Sequence, residues 1–397
     1  MACGKTAVQQ QVDALGTELI ELSHYIHDNP EIGLLEYKAA DRIVAMLEKH
    51  GVEVTRGYCG FETAFIATVE GTEPGPHVAF LAEYDALPEV GHGCGHNIIA
   101  TCAVGAFLAC CTQKDKIKGK ISLIGTPAEE NHSSKRTMLA KGGFEGVDYA
   151  MMIHPSSEPS KINRTGRAAG RMKVRFIGKA AHSSGPQKGI NALSAAIELF
   201  NGIDRMRPTF LITDNINGVI TNGGKAANVI PGEAECQFSL RSNKKLELEV
   251  LVEKVKRIAE MSAAMIGAQV EITVDALGYE RYPNLPLSEA FKANMEELGE
   301  QINYADPAKL YGSSDINDVS VFVPIIHDYL CISSKPVNEH SVEFANDAAS
   351  PRADEICIKG AKGLAMTAMD LFANEKLRET IQAYQKANVP EEYLRRA

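Results

Sequence analysis

The chain opens with apolar residues spaced as on one face of a helix. They recur every three or four residues between Val8 and Ile26, the stripe of an amphipathic helix. A second helix is predicted over residues 36–50, because Gly51 follows it directly. Helical segments then alternate with short apolar runs: the runs are 64–69, 77–82, 120–125 and 149–154, and the main helix among them is 98–111. This alternation is typical of a mostly parallel sheet with helices on both faces.

The pattern changes in the middle of the chain. From about residue 167, MKVRFIG alternates as a strand with one exposed face, and INGVITNGG, EAECQFSLRS and QVEITVDA are predicted as further strands. Helices at 190–204 and 244–265 lie between them. The order βαββαβ is that of a ferredoxin-like sandwich. After about residue 278 the first pattern resumes, with a helix near 288–302, the apolar run 319–324 as a further strand, and a helix around 353–372.

We therefore predict an α/β protein of two domains. The first is a mostly parallel mixed sheet with helices on both faces, formed by residues 1–166 and 278–397. The second is a ferredoxin-like βαββαβ domain, inserted into the first at residues 167–277. A total of 397 residues suits two domains.

Composition and charge exclude several classes of protein. Hydrophobic residues make up 45% and charged residues 23%, as in an ordinary globular protein. The net charge of −10 gives no basic field for nucleic acid, and no stretch approaches the roughly 18–20 apolar residues of a membrane span. The N-terminal MACGKTAVQQQ lacks the apolar segment of a signal peptide, and the nine cysteines form no CxxC pair. We expect a cytoplasmic protein with reduced thiols that binds neither nucleic acid nor membrane.

Three predicted strands run directly into polar residues. The first leads to Asp85, the second to Glu129 and Glu130, and the third ends at His154. Ligands of an open parallel sheet bind beyond the carboxyl ends of its strands. We therefore expect these side chains to meet at one edge of the sheet.

A glycine-rich turn, GHGCGHN, precedes the helix at 98–111 and carries Cys94 and His96. Glycine allows the tight backbone approach that lets both side chains point at one ion. Thiolate and imidazole suit Zn²⁺, whereas carboxylate and imidazole also suit Mn²⁺. The adjacent glutamates suggest a division of labour: one binds metal, and the other takes a proton from a water activated between two cations and passes it to a leaving nitrogen.

Several motifs together resemble a known family. EYDALPEVGHGCGHNIIA, TPAEEN, MMIHP, GKAAHSS, ANVIPGEAE and NEHSVEF are similar to motifs of the dinuclear metallopeptidases that include aminoacylases and glutamate carboxypeptidase. Within that family the chain is most similar to the amidohydrolase branch with aminobenzoyl-glutamate hydrolase, auxin-conjugate hydrolases and β-alanyl-dipeptide dipeptidase. The resemblance covers essentially the whole chain. It implies that a metal-bound water hydrolyses the amide bond of a small N-acyl amino acid or dipeptide, with two divalent ions, Zn²⁺ or Mn²⁺, per subunit.

The resemblance also implies a role for each residue of the metal site. Glu129 would be the general base, and Asp85 would orient a metal-binding histidine. The metal ligands would be Cys94, which bridges both ions, His96, Glu130, His154 and His340.

In the inserted domain, the resemblance implies dimerisation and a lid. His182 would reach the active site of the partner in a homodimer and stabilise the oxyanion. Asn228 and Arg241 would hold the substrate carbonyl and carboxylate, and Gly312 and Ser313 would form a substrate-contacting turn.

The chain departs from the family at the first strand end. Where some relatives have an HxD motif, this chain has Glu83-Tyr84-Asp85. The histidine ligand therefore has to come from His96. Asn97 replaces the aspartate that follows this histidine in many relatives. His92 and His132 are alternative metal ligands.

Two other functions stay open. Cys94 could be the nucleophile of a thiol hydrolase, with His96 or His154 as its base, but the glutamate pair would then have no role. A non-catalytic protein that binds a metal or ligand on the same fold would not need Glu129 as a base. The acyl group, the amino acid and the choice between Zn²⁺ and Mn²⁺ are not determined by the sequence.

Overall fold

The computed structural model describes residues 2–394. The chain divides into two compact units. Unit 1 contains the residues up to Thr165, then Tyr282–Lys309, and the residues from Ser314 onward. Unit 2 contains Gly166–Arg281 and the short return Leu310–Ser313.

The first segment of unit 1 alternates helices and strands. Its elements are α1 (Ala2–Asp28), α2 (Tyr37–Lys49), β1 (Thr55–Arg56), β2 (Phe65–Glu70), β3 (His77–Ala82), α3 (His96–Cys111), β4 (Lys120–Gly125), α4 (Glu129–His132), α5 (Ser134–Ala140), β5 (Tyr149–Ser156) and β6 (Lys161–Ile162). The helices and strands predicted for this segment are confirmed. The left-handed backbone of Gly51 (φ 76°) lies just after α2, where glycine commonly terminates a helix.

Unit 2 has the predicted order of strands and helices. Its elements are β7 (Ala168–Ile177), β8 (Ala181–His182), α6 (Ala192–Met206), β9 (Asn215–Asn222), β10 (Val229–Ile230), β11 (Glu233–Ser242), α7 (Lys245–Ile266) and β12 (Gln269–Val274). The four long strands form an antiparallel sheet in the order β12-β7-β11-β9. Alternate residues of β7, among them Val174 and Phe176, pack with Leu199 of α6 and Leu251 of α7 in its core.

The last segment of unit 1 contains one error of the sequence prediction. Its elements are α8 (Leu285–Glu297), β13 (Asn303–Tyr304), α9 (Ile316–Phe322), β14 (Ile325–Cys331), α10 (Val342–Asp347), α11 (Pro351–Ala373), α12 (Glu375–Asn388) and α13 (Glu391–Leu394). The run 319–324 was expected to be a strand, but most of it belongs to α9. Residues 316–321 are all buried, polar ones included, so this short helix has no solvent-exposed face that would mark its period in the sequence. Pro324 separates it from the true strand, β14.

The sheet of unit 1 has eight strands in the order β1-β2-β4-β3-β5-β14-β6-β13. The central strands β4, β3, β5 and β14 are parallel to one another, whereas β2 runs antiparallel to β4 and β1 antiparallel to β2. Alternate residues of β3 enter two separate cores: Phe80 packs with α1, α3 and α11, whereas Leu81 packs with α5 and α9. The predicted fold class, a mostly parallel sheet covered on both faces beside an inserted domain, is confirmed.

None of the helices within residues 2–394 has both the length and the apolar character needed to cross a bilayer.

Candidate metal centre

The carboxyl ends of the central strands gather the predicted polar residues of unit 1. Strand β3 pairs in parallel with both β4 and β5, so the three strands end at the same edge of the sheet. Asp85 follows β3, Glu129 follows β4 at the start of α4, and His154 lies within β5. The arrangement depends on the parallel pairing of strands that are distant in the sequence.

The turn before α3 brings Cys94 and His96 to the same edge. Gly95 has a left-handed backbone (φ 68°), and a Cβ atom there would lie 2.5 Å from Cγ of Pro155. The turn therefore needs glycine for its conformation and for its close approach to β5. As a result, the Cys94 sulfur and one ring nitrogen each of His96 and His154 lie within 4.8 Å of one another.

Two further ligand groups overlap with this one. Cys94, Glu130 and His340 form one, and His96, Glu129 and Glu130 form the other, each with ligand atoms within 4.8 Å of one another. Cys94, His96 and Glu130 each belong to two groups, an arrangement that suits two neighbouring ions.

His340 reaches the cluster from a loop that is distant in sequence. Its backbone N–H donates to the carbonyl of Gly93 (2.9 Å), and its Nε2 lies 3.5 Å from Oε1 of Glu130. The loop is thus fastened to the glycine-rich turn that carries Cys94. His340 itself has a left-handed backbone (φ 64°), which is uncommon for a residue other than glycine.

Hydrogen bonds orient the buried histidines. Nδ1 of His96 donates to Oδ1 of Asp85 (3.0 Å), and Nδ1 of His154 donates to the carbonyl of Pro155 (2.6 Å). In both rings Nε2 is then the nitrogen that can bind a metal. Burial alone would lower the pKa of His96, but the negative charges of Asp85, Glu83 and Glu130 raise it well above its ordinary value.

The cluster concentrates negative charge. Burial, together with Glu83, Glu130 and Asp315, raises the pKa of Glu129 well above its usual range. Burial and Glu130 likewise raise the pKa of the Cys94 thiol. Divalent cations would supply the missing positive charge, and sulfur, imidazole and carboxylate donors are the set that Zn²⁺ or Mn²⁺ accepts. The residues therefore fit a pair of divalent ions.

One buried cation in this cluster was not anticipated from the sequence. Nζ of Lys135, on α5, lies 2.5 Å from Oε1 of Glu83 and 2.8 Å from Oδ1 of Asp315. All three side chains are buried to within 1% exposure. Lysine is almost never fully buried without a partner, and no local pattern identifies such a position beforehand.

His327 was missed for a different reason. Its ring centroid lies 5.4 Å from that of His154 and 5.2 Å from that of Tyr329. It belongs to β14 (Ile325–Cys331), whereas the strand of this region was predicted at 319–324.

The two alternative ligands lie outside the ligand groups found in the described chain. His92 is buried, and burial lowers its pKa to about 3. His132 is exposed at the end of α4.

In unit 2, His182 and Asn228 are neighbours. His182 is exposed on β8, where it pairs with Val229, and its Nδ1 lies 2.8 Å from Oγ of Ser184. The N–H of Ser183 donates to the carbonyl of Asn228 (3.0 Å).

The other predicted residues of unit 2 surround Arg167. The carbonyl of Gly312 accepts the N–H of Arg167 (3.2 Å), and Oγ of Ser313 donates to its carbonyl (2.5 Å). Burial and the nearby charge of Arg241 lower the pKa of the Arg167 guanidinium.

Comparison with known proteins identifies the family. A family model described as a peptidase dimerisation domain, M20_dimer, matches residues 164–264. The Xaa-Arg dipeptidase of Mus musculus is 33% identical over 407 residues, which covers 98% of this chain and 94% of the relative. The chain belongs to the M20 peptidase family. It is thus a metal-dependent hydrolase of carbon–nitrogen amide bonds, as predicted from the motifs.

One more distant relative and two solved structures are also similar to this chain. One subunit of the p-aminobenzoyl-glutamate hydrolase of Escherichia coli is 29% identical over 74% of this chain and 65% of its own length. An aminobenzoyl-glutamate utilization protein from Klebsiella pneumoniae shares the fold, with a TM-score of 0.73 at 20% identity over 91% of this chain and 98% of that one. A dinuclear metal binding peptidase of the M20 family from Bacillus subtilis has a TM-score of 0.66 at 22% identity. The match covers 90% of this chain and 99% of that one.

Proposed function

We propose that this M20 peptidase hydrolyses the amide bond of a small dipeptide or N-acyl amino acid at a centre of two divalent cations. The observation that carries the proposal is the sharing of ligand atoms, because Cys94, His96 and Glu130 each take part in two overlapping groups. The proposed ligands are Cys94, His96, Glu130, His154 and His340. The bound pair, Zn²⁺ or Mn²⁺, would supply Lewis acidity that lowers the pKa of a water and polarises the substrate carbonyl.

Glu129 is the proposed general base. It takes a proton from the attacking water and passes it to the leaving nitrogen. Glu130 belongs to two of the ligand groups, one of them with Cys94 and His340. Glu129 belongs only to the group with His96 and Glu130.

A dipeptide is the first choice of substrate. The Xaa-Arg dipeptidase aligns with nearly the whole chain, so the similarity includes both units. Within unit 2 we assign Asn228 to the substrate carbonyl, Arg241 to its carboxylate, and Gly312 with Ser313 to a substrate-contacting turn.

Unit 2 is also the proposed dimerisation and lid domain, corresponding to the predicted insertion at 167–277. The outer faces of α6 and α7 support this, because they expose apolar side chains: Ile197, Val250, Met261 and Met265 are 46–67% exposed. A second copy of the chain would cover them. In that homodimer, His182 would serve the active site of the partner and stabilise the developing oxyanion.

A cytoplasmic location is part of the proposal. The cysteines from Cys59 to Cys357 are free thiols, as a reducing compartment would keep them.

The deciding experiment is a substrate screen with metal-depleted and metal-reconstituted protein. Dipeptides with basic, acidic and apolar C-terminal residues, β-alanyl dipeptides and N-acyl amino acids are compared by the amine they release. We expect activity only after Zn²⁺ or Mn²⁺ is restored. Activity that persists in excess EDTA and disappears on thiol alkylation would instead favour the thiol hydrolase.

A further inference from the structure

The turn that carries Glu129 has a backbone that needs support. Ala128, the residue before it, is left-handed (φ 56°, ψ 44°), and so is Ser133 just after the four-residue α4. An L-residue in this conformation costs about 1 kcal/mol or more relative to the right-handed one. The surrounding structure has to supply contacts that hold the turn in place.

Glu36 supplies the first of these contacts. Its side chain is fully buried, although it lies at the start of α2, far from the metal centre in sequence. Oε1 accepts the backbone N–H of Ala128 (2.7 Å), and Oε2 accepts the hydroxyl of Thr63 (3.0 Å). The carboxylate thus fixes the peptide between Pro127 and Ala128, one residue before Glu129.

Gly33 supplies the second contact. A Cβ atom at Gly33 would lie 2.8 Å from Cβ of Ala128 and 2.1 Å from Oδ1 of Asn131. The segment 33–36 therefore packs directly against the turn at a distance that allows no side chain.

The amide after Glu129 is held in the same way. The N–H of Glu130 donates to Oδ2 of Asp85 (3.0 Å), and Asp85 is itself buried. Buried carboxylates thus hold the backbone amides of the residues on both sides of Glu129, which restricts where its own carboxylate can point.

We propose that Glu36 is a positioning residue: it determines the orientation of the Glu129 carboxylate by fixing the left-handed turn at Ala128. The inference rests on the proposed function, because the role of Glu129 as general base is part of that proposal. Displacing a catalytic group by about 1 Å can lower the rate about 10²-fold, so a residue that never touches substrate can control turnover.

The cost of keeping this acid buried supports a specific role. Burial, with the nearby charge of Asp85 adding to it, raises the pKa of Glu36 to about 7. A buried ionisable group is unfavourable unless its hydrogen bonds compensate.

The test compares Glu36→Ala with Glu36→Gln. The amide of glutamine can still accept from Ala128 and can donate to Thr63, so Glu36→Gln should keep kcat within about threefold of the unmodified protein. Glu36→Ala should lower kcat by roughly 10–100-fold while KM changes by less than about threefold. Both variants should retain two metal ions per chain by elemental analysis.

Glu300→Ala is the matched control. Glu300 is also a buried glutamate of unit 1, and its Oε1 accepts from Ser160 (3.2 Å), a contact outside the ligand cluster. We expect this variant to lose stability but keep kcat. If Glu36→Ala cannot be purified, Gly33→Ala tests the same turn and should also lower kcat with metal retained.

A double variant separates this inference from the proposed function. In the Glu129→Gln background, Glu36→Ala should have no further effect on the residual rate, because it acts through Glu129. The inference is overturned if Glu36→Ala and Gly33→Ala keep full kcat, or if they lose activity only in step with metal or folded protein. Full activity of Glu129→Gln would instead overturn the assigned base, and with it the proposed function.

Discussion

Asp85 holds His96 with one carboxylate oxygen and the backbone of Glu130 with the other, both at 3.0 Å. A single buried side chain thus links proposed ligands that come from different segments of the chain. Burial raises the pKa of Asp85, but the charge and hydrogen bond of His96, the N–H of Glu130 and the charge of Lys135 together keep it below its ordinary value.

The first prediction follows from this link. Asp85→Asn places an amide against the N–H of Glu130 and removes the charge that favours the required His96 tautomer. We expect metal affinity to fall by about 10–100-fold, measured by competition with a chelator of known affinity. Asp148→Asn, which alters a hydrogen bond to the N–H of His77 elsewhere in unit 1, should leave the affinity unchanged.

Glu129→Gln should abolish turnover without removing metal. Loss of a general base typically costs 10²–10⁴-fold in rate, and the glutamine is nearly the same size as the glutamate it replaces. Single-turnover rates and elemental analysis of one preparation decide the matter. Retention of more than about a tenth of the activity would contradict the assignment.

Cys94→Ala should lose metal as well as activity, because the thiolate belongs to two ligand groups. Cys102→Ala is the matched control: this cysteine is also buried, in α3, where its thiol faces the carbonyl of Cys357 (3.5 Å). Inductively coupled plasma measurements should show depletion only in the Cys94 variant. Full metal occupancy in the Cys94→Ala variant would show that Cys94 is a packing residue and not a ligand.

Glu36 should make stability depend on pH. Its pKa is about 7 when folded, against 4.5 as the ordinary value, so the folded protein keeps a proton that the unfolded chain releases. The free energy of unfolding contributed by this group is then largest below about pH 4.5 and falls as pH rises to 7, by about 3 kcal/mol in total. Urea unfolding of metal-free protein at a series of pH values, compared with Glu36→Gln, measures it. Identical pH profiles of the two proteins would contradict the prediction.

Two inactive chains should restore activity when mixed. A heterodimer of Glu129→Gln and His182→Ala contains one site with an intact base and an intact histidine from the partner. Random exchange at equal concentrations should complete roughly a quarter of all sites, given two-fold symmetry. Verified subunit exchange without recovered activity, or a protein that remains monomeric at assay concentration, would rule out the role in trans.

Much of the site could be predicted because strand ends are visible in sequence. Asp85, Glu129 and His154 stand at or just beyond short apolar runs, and parallel pairing brings such positions together. The glycines beside Cys94 likewise indicate a tight turn. These signals are local, and the fold needs only to bring them to one edge.

The supporting residues gave no such signal. Glu36 and Lys135 look like surface residues, since a carboxylate before a helix and a lysine within a polar helix are common at exposed positions. Their burial depends on partners 92 and 180 residues away, Ala128 and Asp315. His327 was missed because the run 319–324, most of which belongs to α9, was predicted to be the strand that β14 forms.

The return of Leu310–Ser313 to unit 2 affects how this protein can be divided. The polypeptide passes between units after Thr165, Arg281, Lys309 and Ser313, so a single proteolytic cut at any of these points leaves the two units joined through the other crossings. A fragment expressed as 166–281 would lack Gly312 and Ser313, the hydrogen-bonding partners of the Arg167 backbone. Transplanting the inserted domain into a relative therefore requires exchanging two separate pieces of chain, the second only four residues long.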